Sequence, residues 1–308
     1  MIEVRSLQKS FGSIHAVQDL SFTVNAGEIY GLLGPNGAGK TTTLSMLAGL
    51  LEPDDGTVRF ADLDLTRDRD AVQRQLGVVP QEVALYEEFS ARENLRFWGG
   101  LYGLAGNTLQ ESVERVLRQV GLSDNADRPV RGFSGGMKRR LNLSLGLVHE
   151  PKIVMLDEPT VGIDPQARHN ILEVVRQIAE QGTTILYTTH YLEEAETLCD
   201  RIGILDEGRL LADGTLEELK REAGEGEWIT VSGDDVETRL RNLVGEDRSV
   251  RWVSGERNRV VLTAIGEGQA IPLLQRLLRE TEGIDGVTIQ PPSLNGLFLK
   301  LTGRELRD

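Results

Sequence analysis

Cysteine is almost missing from this sequence: Cys199 stands alone among 308 residues. A single thiol cannot build an intramolecular disulfide framework, which suits a reducing compartment. Its expected role is that of a small buried hydrophobe. Long apolar runs are missing too, and no stretch approaches the roughly 20 residues that a membrane-crossing helix needs. The opening Met1–Arg5 is strand-like and lacks the charged-then-apolar order of a secretory leader. Any action at a membrane then depends on docking to something that spans it. Basic residues are outnumbered, 34 Lys and Arg against 48 Asp and Glu, for a formal charge of -14. Such a surface repels phosphate backbones and argues against a nucleic-acid partner. The longest basic run, Lys138-Arg139-Arg140, sits inside a motif with another explanation.

What is present is an ordinary globular balance of 39% hydrophobic and 27% charged residues. The length allows one sizeable core domain and a smaller second one. Short apolar runs at Ile2–Val4, Ala16–Val24 and Ile29–Leu33 read as strands, separated by Gly12 and Asn25-Ala26-Gly27 turns. Lys40–Leu50 switches to helical spacing. A helix-rich region follows over about 90–150, with Val113, Val116, Leu117 and Val120 at three-and-four spacing. Strand and helix then alternate: Ile153–Leu156, Gln166–Glu180, Thr184–Thr188, Leu192–Leu198 and Ile202–Leu205. That order predicts an α/β fold with a mixed, mainly parallel sheet covered on both faces.

A polar, glycine-containing stretch at Lys220–Glu227 marks a boundary, giving an expected first domain over 1–220 and a second over 226–308. The second reads as strand Trp228–Val231, helix Val236–Val244, strands Val250–Val253 and Val260–Ala264, helix Ala270–Arg279 and strand Val287–Gln290. This β-α-β-β-α-β order predicts a small α+β, ferredoxin-like sandwich.

Gly34-Pro35-Asn36-Gly37-Ala38-Gly39-Lys40-Thr41 matches the P-loop pattern, directly after an apolar strand and opening a helix. Gly34, Gly37 and Gly39 let the backbone fold tightly so that its N–H groups converge on phosphate oxygens. The helix start adds its positive dipole end, shared by Thr42. Lys40 supplies a mobile point charge, and the Thr41 hydroxyl suits Mg²⁺. Ile153-Val154-Met155-Leu156-Asp157-Glu158 is an apolar strand ending in two carboxylates. Strand C-termini border the ligand crevice of an open α/β sheet, so Asp157 can hold Mg²⁺ and Glu158 can polarise an attacking water. By itself such an ending is equally a solvated acidic loop. His190 follows the strand at Thr184–Thr188 and is placed to donate to a γ-phosphate oxygen. His15, His149 and His169 lack that placement and read as surface or capping residues. Gln81 follows the run Gly77-Val78-Val79-Pro80, where its amide can touch Mg²⁺ or orient water.

A further segment, Phe133-Ser134-Gly135-Gly136-Met137-Lys138-Arg139-Arg140-Leu141, precedes the acidic strand. Ser134 can cap a helix while Gly135 and Gly136 expose N–H groups at its start, a second anion site. The segment resembles the signature motif of ATP-binding cassette ATPases. Phe11 resembles the aromatic that stacks on adenine in that family, Gln81 the Q-loop glutamine, Val161-Gly162-Ile163-Asp164 the D-loop and His190 the switch histidine. The resemblance runs over about 2–219.

It implies binding and hydrolysis of ATP with Mg²⁺, in a head-to-tail homodimer whose signature motif grips the γ-phosphate held by the partner's P-loop. It also implies a separate membrane permease and a cytoplasmic location, peripheral on the inner face of the membrane. The commonest family signature reads Leu-Ser-Gly-Gly-Gln, whereas this chain has Phe133 first and Met137 last. The Gly-Gly-Met-Lys-Arg-Arg-Leu form and the tail at 292–303 resemble the branch serving exporters of drugs, antibiotics, polysaccharides and lipids. That tail is also readable as a plain amphipathic helix.

The segment Glu82–Gly100, with Leu85, Tyr86, Phe89, Leu95, Phe97 and Trp98, is either a docking face for a permease helix or the core of the helical subdomain. A soluble ATPase of the same fold acting on ribosomes or DNA is the alternative. The single cassette, the missing coiled-coil heptads and the acidic charge count against it.

Overall fold

The computed structural model describes residues 1–223, 227–244, 247, 249–265, 269–281, 283–290 and 293–302. Two long strands, β1 (Ile2–Phe11) and β2 (Ile14–Val24), open the chain as an antiparallel pair. β3 (Ile29–Leu33) is buried along its whole length and leads through Gly34–Gly39 into α1 (Lys40–Leu47). β4 (Asp55–Phe60) pairs antiparallel with β1, and β5 (Leu63–Asp64) with β4, giving a sheet ordered β2-β1-β4-β5.

Next come α2 (Arg69–Gln73), β6 (Leu76–Val79) and three helices: α3 (Ala91–Leu101), α4 (Gly106–Gln119) and α5 (Gly135–Leu145). α3 starts at a capping box. The Ser90 hydroxyl accepts from the Glu93 N–H at 3.2 Å, while the Glu93 carboxylate accepts from the Ser90 N–H at 2.8 Å. α4 buries Val113, Val116 and Leu117, as its spacing predicts.

The alternating part supplies β7 (Ile153–Asp157), α6 (Pro165–Glu180), β8 (Thr184–Thr189), α7 (Leu192–Leu198), β9 (Arg201–Asp206) and β10 (Arg209–Gly214). These strands join β3 and β6 in a sheet ordered β10-β9-β3-β8-β7-β6, in which β9, β3, β8, β7 and β6 run parallel. The pleat divides β7 between two cores. Val154 and Leu156 pack with the helices, whereas Ile153 and Met155 join the core beneath the antiparallel sheet and α1. Cys199 packs against the first of these cores, and burial pushes its thiol up, which suits an inert core residue. The parallel arrangement brings the ends of β3, β6, β7 and β8 to one edge, with Gly34, Gln81, Glu158 and His190 just beyond them.

The chain divides into two compact units, Met1–Asp213 and Gly214–Asp308. In the second, α8 (Leu216–Ala223) precedes β11 (Trp228–Gly233), α9 (Val236–Val244), β12 (Val250–Glu256) and β13 (Arg259–Ala264). α10 (Ala270–Glu280), β14 (Ile284–Gln290) and α11 (Leu294–Thr302) complete it. The sheet is antiparallel and ordered β12-β13-β11-β14, the ferredoxin-like arrangement. Ile229 and Val231 share a core with Leu240, Leu273 and Leu277 of the two flanking helices. Trp228 and Val261 turn the other way, toward Leu299 of α11. The division falls ahead of the polar 220–227 stretch because α8 packs with α11 of this unit. The tail therefore forms a helix over Leu294–Thr302, while Pro292 and Gly303 lie outside the described residues.

Candidate nucleotide site

The loop between β3 and α1 is shaped by its glycines. Gly37 and Gly39 adopt φ of +84° and +101°, left-handed backbone that a side chain disfavours. A Cβ on Gly34 would collide with the Leu205 carbonyl, and one on Gly39 with the Ala16 carbonyl. The loop is thus wedged between the β9 end and the start of β2, and neither position admits alanine. Lys40, 4% exposed, turns back into the loop it follows. Its ammonium donates to the Gly34 carbonyl at 2.6 Å and the Pro35 carbonyl at 3.0 Å, and lies 3.0 Å from Glu158 Oε1.

Glu158 is the meeting point of the strand ends. It sits at φ +43°, a conformation that costs a non-glycine residue about 1 to 3 kcal/mol. Its N–H donates to Thr188 Oγ1 at 3.0 Å, and that hydroxyl donates to Asp157 Oδ1 at 2.7 Å. One threonine therefore fixes both acids of the β7 terminus. Gln81 Nε2 donates to Glu158 Oε2 at 3.4 Å, and His190 Nδ1 lies 3.2 Å from the same oxygen. Lys40 at the start of α1, Gln81 past β6 and His190 past β8 converge on one nearly buried carboxylate.

A cleft of about 650 Å³ opens beside this group. Asn36, Gly37, Gly39, Lys40, Thr41, Thr42, Gln81 and Glu158 line it. Ile14, His15, Ala16, Gln18 and Glu207, none of which carries a motif, complete the lining. His15 is exposed, as a surface residue is expected to be, and it also lines the cleft, with Nδ1 2.9 Å from Ser10 Oγ. The signal that would have found this wall is the β1–β2 hairpin: Gly12 turns the chain so that Ile14 pairs with Phe11 and its neighbours fold back toward the loop. Phe11 itself is exposed, its ring under Lys9 Nζ at 5.8 Å, and it stands next to the cleft wall rather than in it. His149 is less exposed than a surface residue, its Nε2 lying 3.0 Å from the Leu76 carbonyl. It is half-buried, stacked on Tyr102 at 3.6 Å, and burial holds its pKa below the ordinary histidine value.

Ser134, Gly135, Gly136 and Asp164 do not line this cleft. Ser134 caps α5, its hydroxyl accepting from the Met137 N–H at 3.3 Å. The two glycines differ. No described atom lies within 4 Å of a Cβ on Gly135, whereas a Cβ on Gly136 would meet Ala167 Cβ at 2.6 Å. Gly136 is thus a helix-packing glycine that lets α5 approach α6, and Gly135 keeps the helix start open. Asp164 caps α6, accepting from the Ala167 N–H at 2.9 Å. Arg139 connects these parts: its guanidinium donates to the Gln81 carbonyl and, at 3.0 Å, to the Val161 carbonyl.

The donors at hand suit a triphosphate and a hard cation. The cleft has a glycine loop at a helix N-terminus, one ammonium, the Thr41 hydroxyl and the Gln81 amide, with Asp157 at the adjoining strand end. Among the described residues no group of three or more His, Cys, Asp and Glu side chains converges to hold a metal unaided. The residues of the aromatic-apolar stretch differ in burial. Leu95 is core, Leu85 and Trp98 pack against that core, and Tyr86, Phe89 and Phe97 are exposed. The exposed rings touch, Tyr86 lying 5.4 Å from Phe89 and 5.0 Å from Phe97 between centroids. Among the described residues no helix is long and apolar enough to cross a membrane.

Known proteins resemble this chain closely. A family model described as ABC transporter matches residues 17–161. Linearmycin resistance ATP-binding protein LnrL of Bacillus subtilis (strain 168) is 41% identical, with 100% of each chain covered. Nod factor export ATP-binding protein I of Burkholderia lata is 43% identical over 100% of this chain and 98% of its own. Daunorubicin resistance ATP-binding protein DrrA3 of Streptomyces coeruleorubidus is 38% identical, covering 99% of this chain and 97% of its own. Among solved structures, an ATP-binding subunit of an ABC transporter superposes with a TM-score of 0.65 at 34% identity, over 72% of this chain and 92% of that one. A cassette solved as a dimer with ADP and Pi shares the fold, with a TM-score of 0.63 at 24% identity, covering 70% of this chain and 99% of that one.

Proposed function

This chain belongs to the ABC transporter family as one of its ATP-hydrolysing subunits, and from that premise we propose how its residues divide the work and what the work drives. ATP lies in the cleft with its phosphates on the Gly34–Thr42 loop and its adenine against Phe11, where ring stacking tolerates Phe. Lys40 exchanges the Gly34 and Pro35 carbonyls for phosphate oxygens, a short swing for a side chain already at the loop. Thr41, Gln81 and Asp157 hold Mg²⁺, which supplies charge neutralisation on the phosphates when bound. Glu158 takes a proton from water as the water oxygen bonds to the γ-phosphorus and the bond to the bridging β–γ oxygen breaks. His190 donates to the γ-phosphate, and Gln81 orients the water.

The observation that supports this most is the convergence of Lys40, Gln81 and His190 within 3.0–3.4 Å of a strained, nearly buried Glu158. In water such a group would be dispersed by solvation; here it is preorganised for charge developing on phosphate. Ser134 and Gly135 at the start of α5 take the γ-phosphate held by a second copy, with Asp164 in the facing loop, so two chains enclose two nucleotides. Gly136 supports that corner by close helix packing.

Closing and opening of this pair drives export through a separate integral membrane protein, with the chain seated on the inner face of the membrane. The relatives named for linearmycin resistance, Nod factor export and daunorubicin resistance support export rather than uptake. The exposed Tyr86, Phe89 and Phe97 cluster receives a cytoplasmic helix of that protein, since contiguous exposed rings are unusual on a surface that faces only water. The test is transport by inside-out vesicles holding the assembled complex. Replacing Tyr86 and Phe89 together by Ala abolishes ATP-driven cargo uptake while the isolated subunit keeps its ATPase rate. Unchanged uptake would remove this cluster from the interface.

A further inference from the structure

Glu194 has no part in the chemistry above, yet it is among the best-satisfied side chains of the molecule. It is the third residue of α7 and is 1% exposed. Its Oε1 accepts from Thr160 Oγ1 at 2.6 Å, and its Oε2 accepts from Tyr187 Oη at 2.8 Å and Thr189 Oγ1 at 2.7 Å. Arg168 Nε, on α6, lies 3.5 Å from Oε1. Burial and the adjacent Glu194 charge push the Tyr187 hydroxyl well above its ordinary pKa, so it stays a donor across the working pH range.

The partners of this carboxylate are the residues that frame the hydrolytic group. Thr160 is two positions past Glu158. Thr189 and Tyr191 flank His190, and both are tied to Glu194. Thr189 Oγ1 accepts from the Tyr191 N–H at 3.0 Å, and the Arg168 guanidinium stacks on the Tyr191 ring at 4.2 Å. Tyr191 in turn packs on the His190 ring at 4.1 Å. Arg168 stands one turn after Asp164, whose carbonyl accepts from its N–H at 3.0 Å. One buried charge thus clamps the loop after β7, the end of β8 and the start of α6.

A carboxylate buried for stability alone is a poor choice, because an apolar side chain of similar volume fills the space without desolvating a charge. Its value lies in geometry. It accepts from three hydroxyls at once, which no apolar or amide side chain does. We infer that Glu194 is a positioning residue for ATP hydrolysis, fixing His190 and Glu158 relative to each other through Thr189, Tyr191, Arg168 and Thr160. This rests on the role given to His190 above. Because Glu194 lies outside the cleft, it acts on turnover and leaves ATP binding alone.

The test is a double-mutant cycle on the full chain with Glu194→Gln and His190→Ala, measuring phosphate release against ATP concentration. Glu194→Gln should lower kcat about tenfold or more, as misplacement of a reacting group does, with KM for ATP held within about threefold. In the His190→Ala background, Glu194→Gln should change the remaining rate by less than about twofold, since what Glu194 sets is the placement of His190 relative to Glu158, which no longer matters once the imidazole is gone. His190→Ala at the parental rate would sink the His190 assignment. His190→Ala slow with Glu194→Gln at the parental rate, or effects that multiply in the double variant, would sink this inference alone. If Glu194→Gln does not fold, Tyr187→Phe and Thr160→Val each remove one donor and take its place. Both should lower kcat at constant KM, and kcat unchanged in both would overturn the proposal.

Discussion

The corner at Gly34–Thr41 closes on itself, whereas the corner at Ser134–Gly136 is left open. In the first, the Lys40 ammonium donates to two carbonyls of its own loop and lies 3.0 Å from Glu158. In the second, Ser134 and Gly135 are exposed, and no described atom stands within 4 Å of a Cβ on Gly135. Both are helix N-termini after a bend, so both favour an anion. Only the first brings an ammonium and a carboxylate together within one chain, the pair to which the proposed hydrolysis assigns phosphate binding and the base. On the proposed reading the preorganised half binds nucleotide alone, and the open half acts when a second copy delivers the phosphate.

The largest effect that sharpens this contrast comes from Glu158→Gln. Shape and burial persist but the amide cannot take a proton, so phosphate release should fall by about a hundredfold or more. Nucleotide affinity, read by fluorescence titration, should hold, because every P-loop residue is kept and the glutamine amide oxygen can still accept from Lys40. Turnover at the parental rate would move the base elsewhere.

The signature glycines give a second, smaller contrast. Gly136→Ala would place a methyl 2.6 Å from Ala167 Cβ. Overpacking of this kind costs about 1 to 3 kcal/mol, and Tm should drop by about 2 to 8 °C. Gly135→Ala meets no described atom and should leave Tm within about 2 °C. Its effect should appear instead in ATP-dependent dimerisation. Equal melting of the two variants would break the distinction between packing and open glycine.

The smallest expected effect is that of Asp164→Ala. Loss of the bond from the Ala167 N–H should cost about 1 kcal/mol of stability, read by denaturant unfolding. A change of several kcal/mol would mean that Asp164 holds more than the start of α6.

Much of this was legible from residue order. The glycine loop, the acidic pair ending β7 and His190 past β8 are all found by one rule, that ligands gather at the C-terminal ends of parallel strands. The ferredoxin-like order is legible because short apolar runs and two segments of helical spacing follow one another as β-α-β-β-α-β, even where a strand such as Arg259–Ala264 is buried without alternation. Other features depend on packing that no local pattern records. Ile14, His15, Ala16 and Gln18 form a cleft wall only through the turn and register of the β1–β2 hairpin. Glu194 reads in sequence as one of three acids in Leu192–Leu198, and only the fold shows that it alone is buried beneath three hydroxyls. The boundary near 220–227 was placed by composition. The division of the chain instead follows the packing of α8 on α11.

Sedimentation of Glu158→Gln with and without ATP and Mg²⁺ decides whether the open corner takes the phosphate held by a second copy. A monomer that becomes a dimer on adding ATP, and stays monomeric when Gly135 is replaced by Arg, is the predicted result. Saturating nucleotide on a Glu158→Gln chain that remains monomeric at every protein concentration would contradict it.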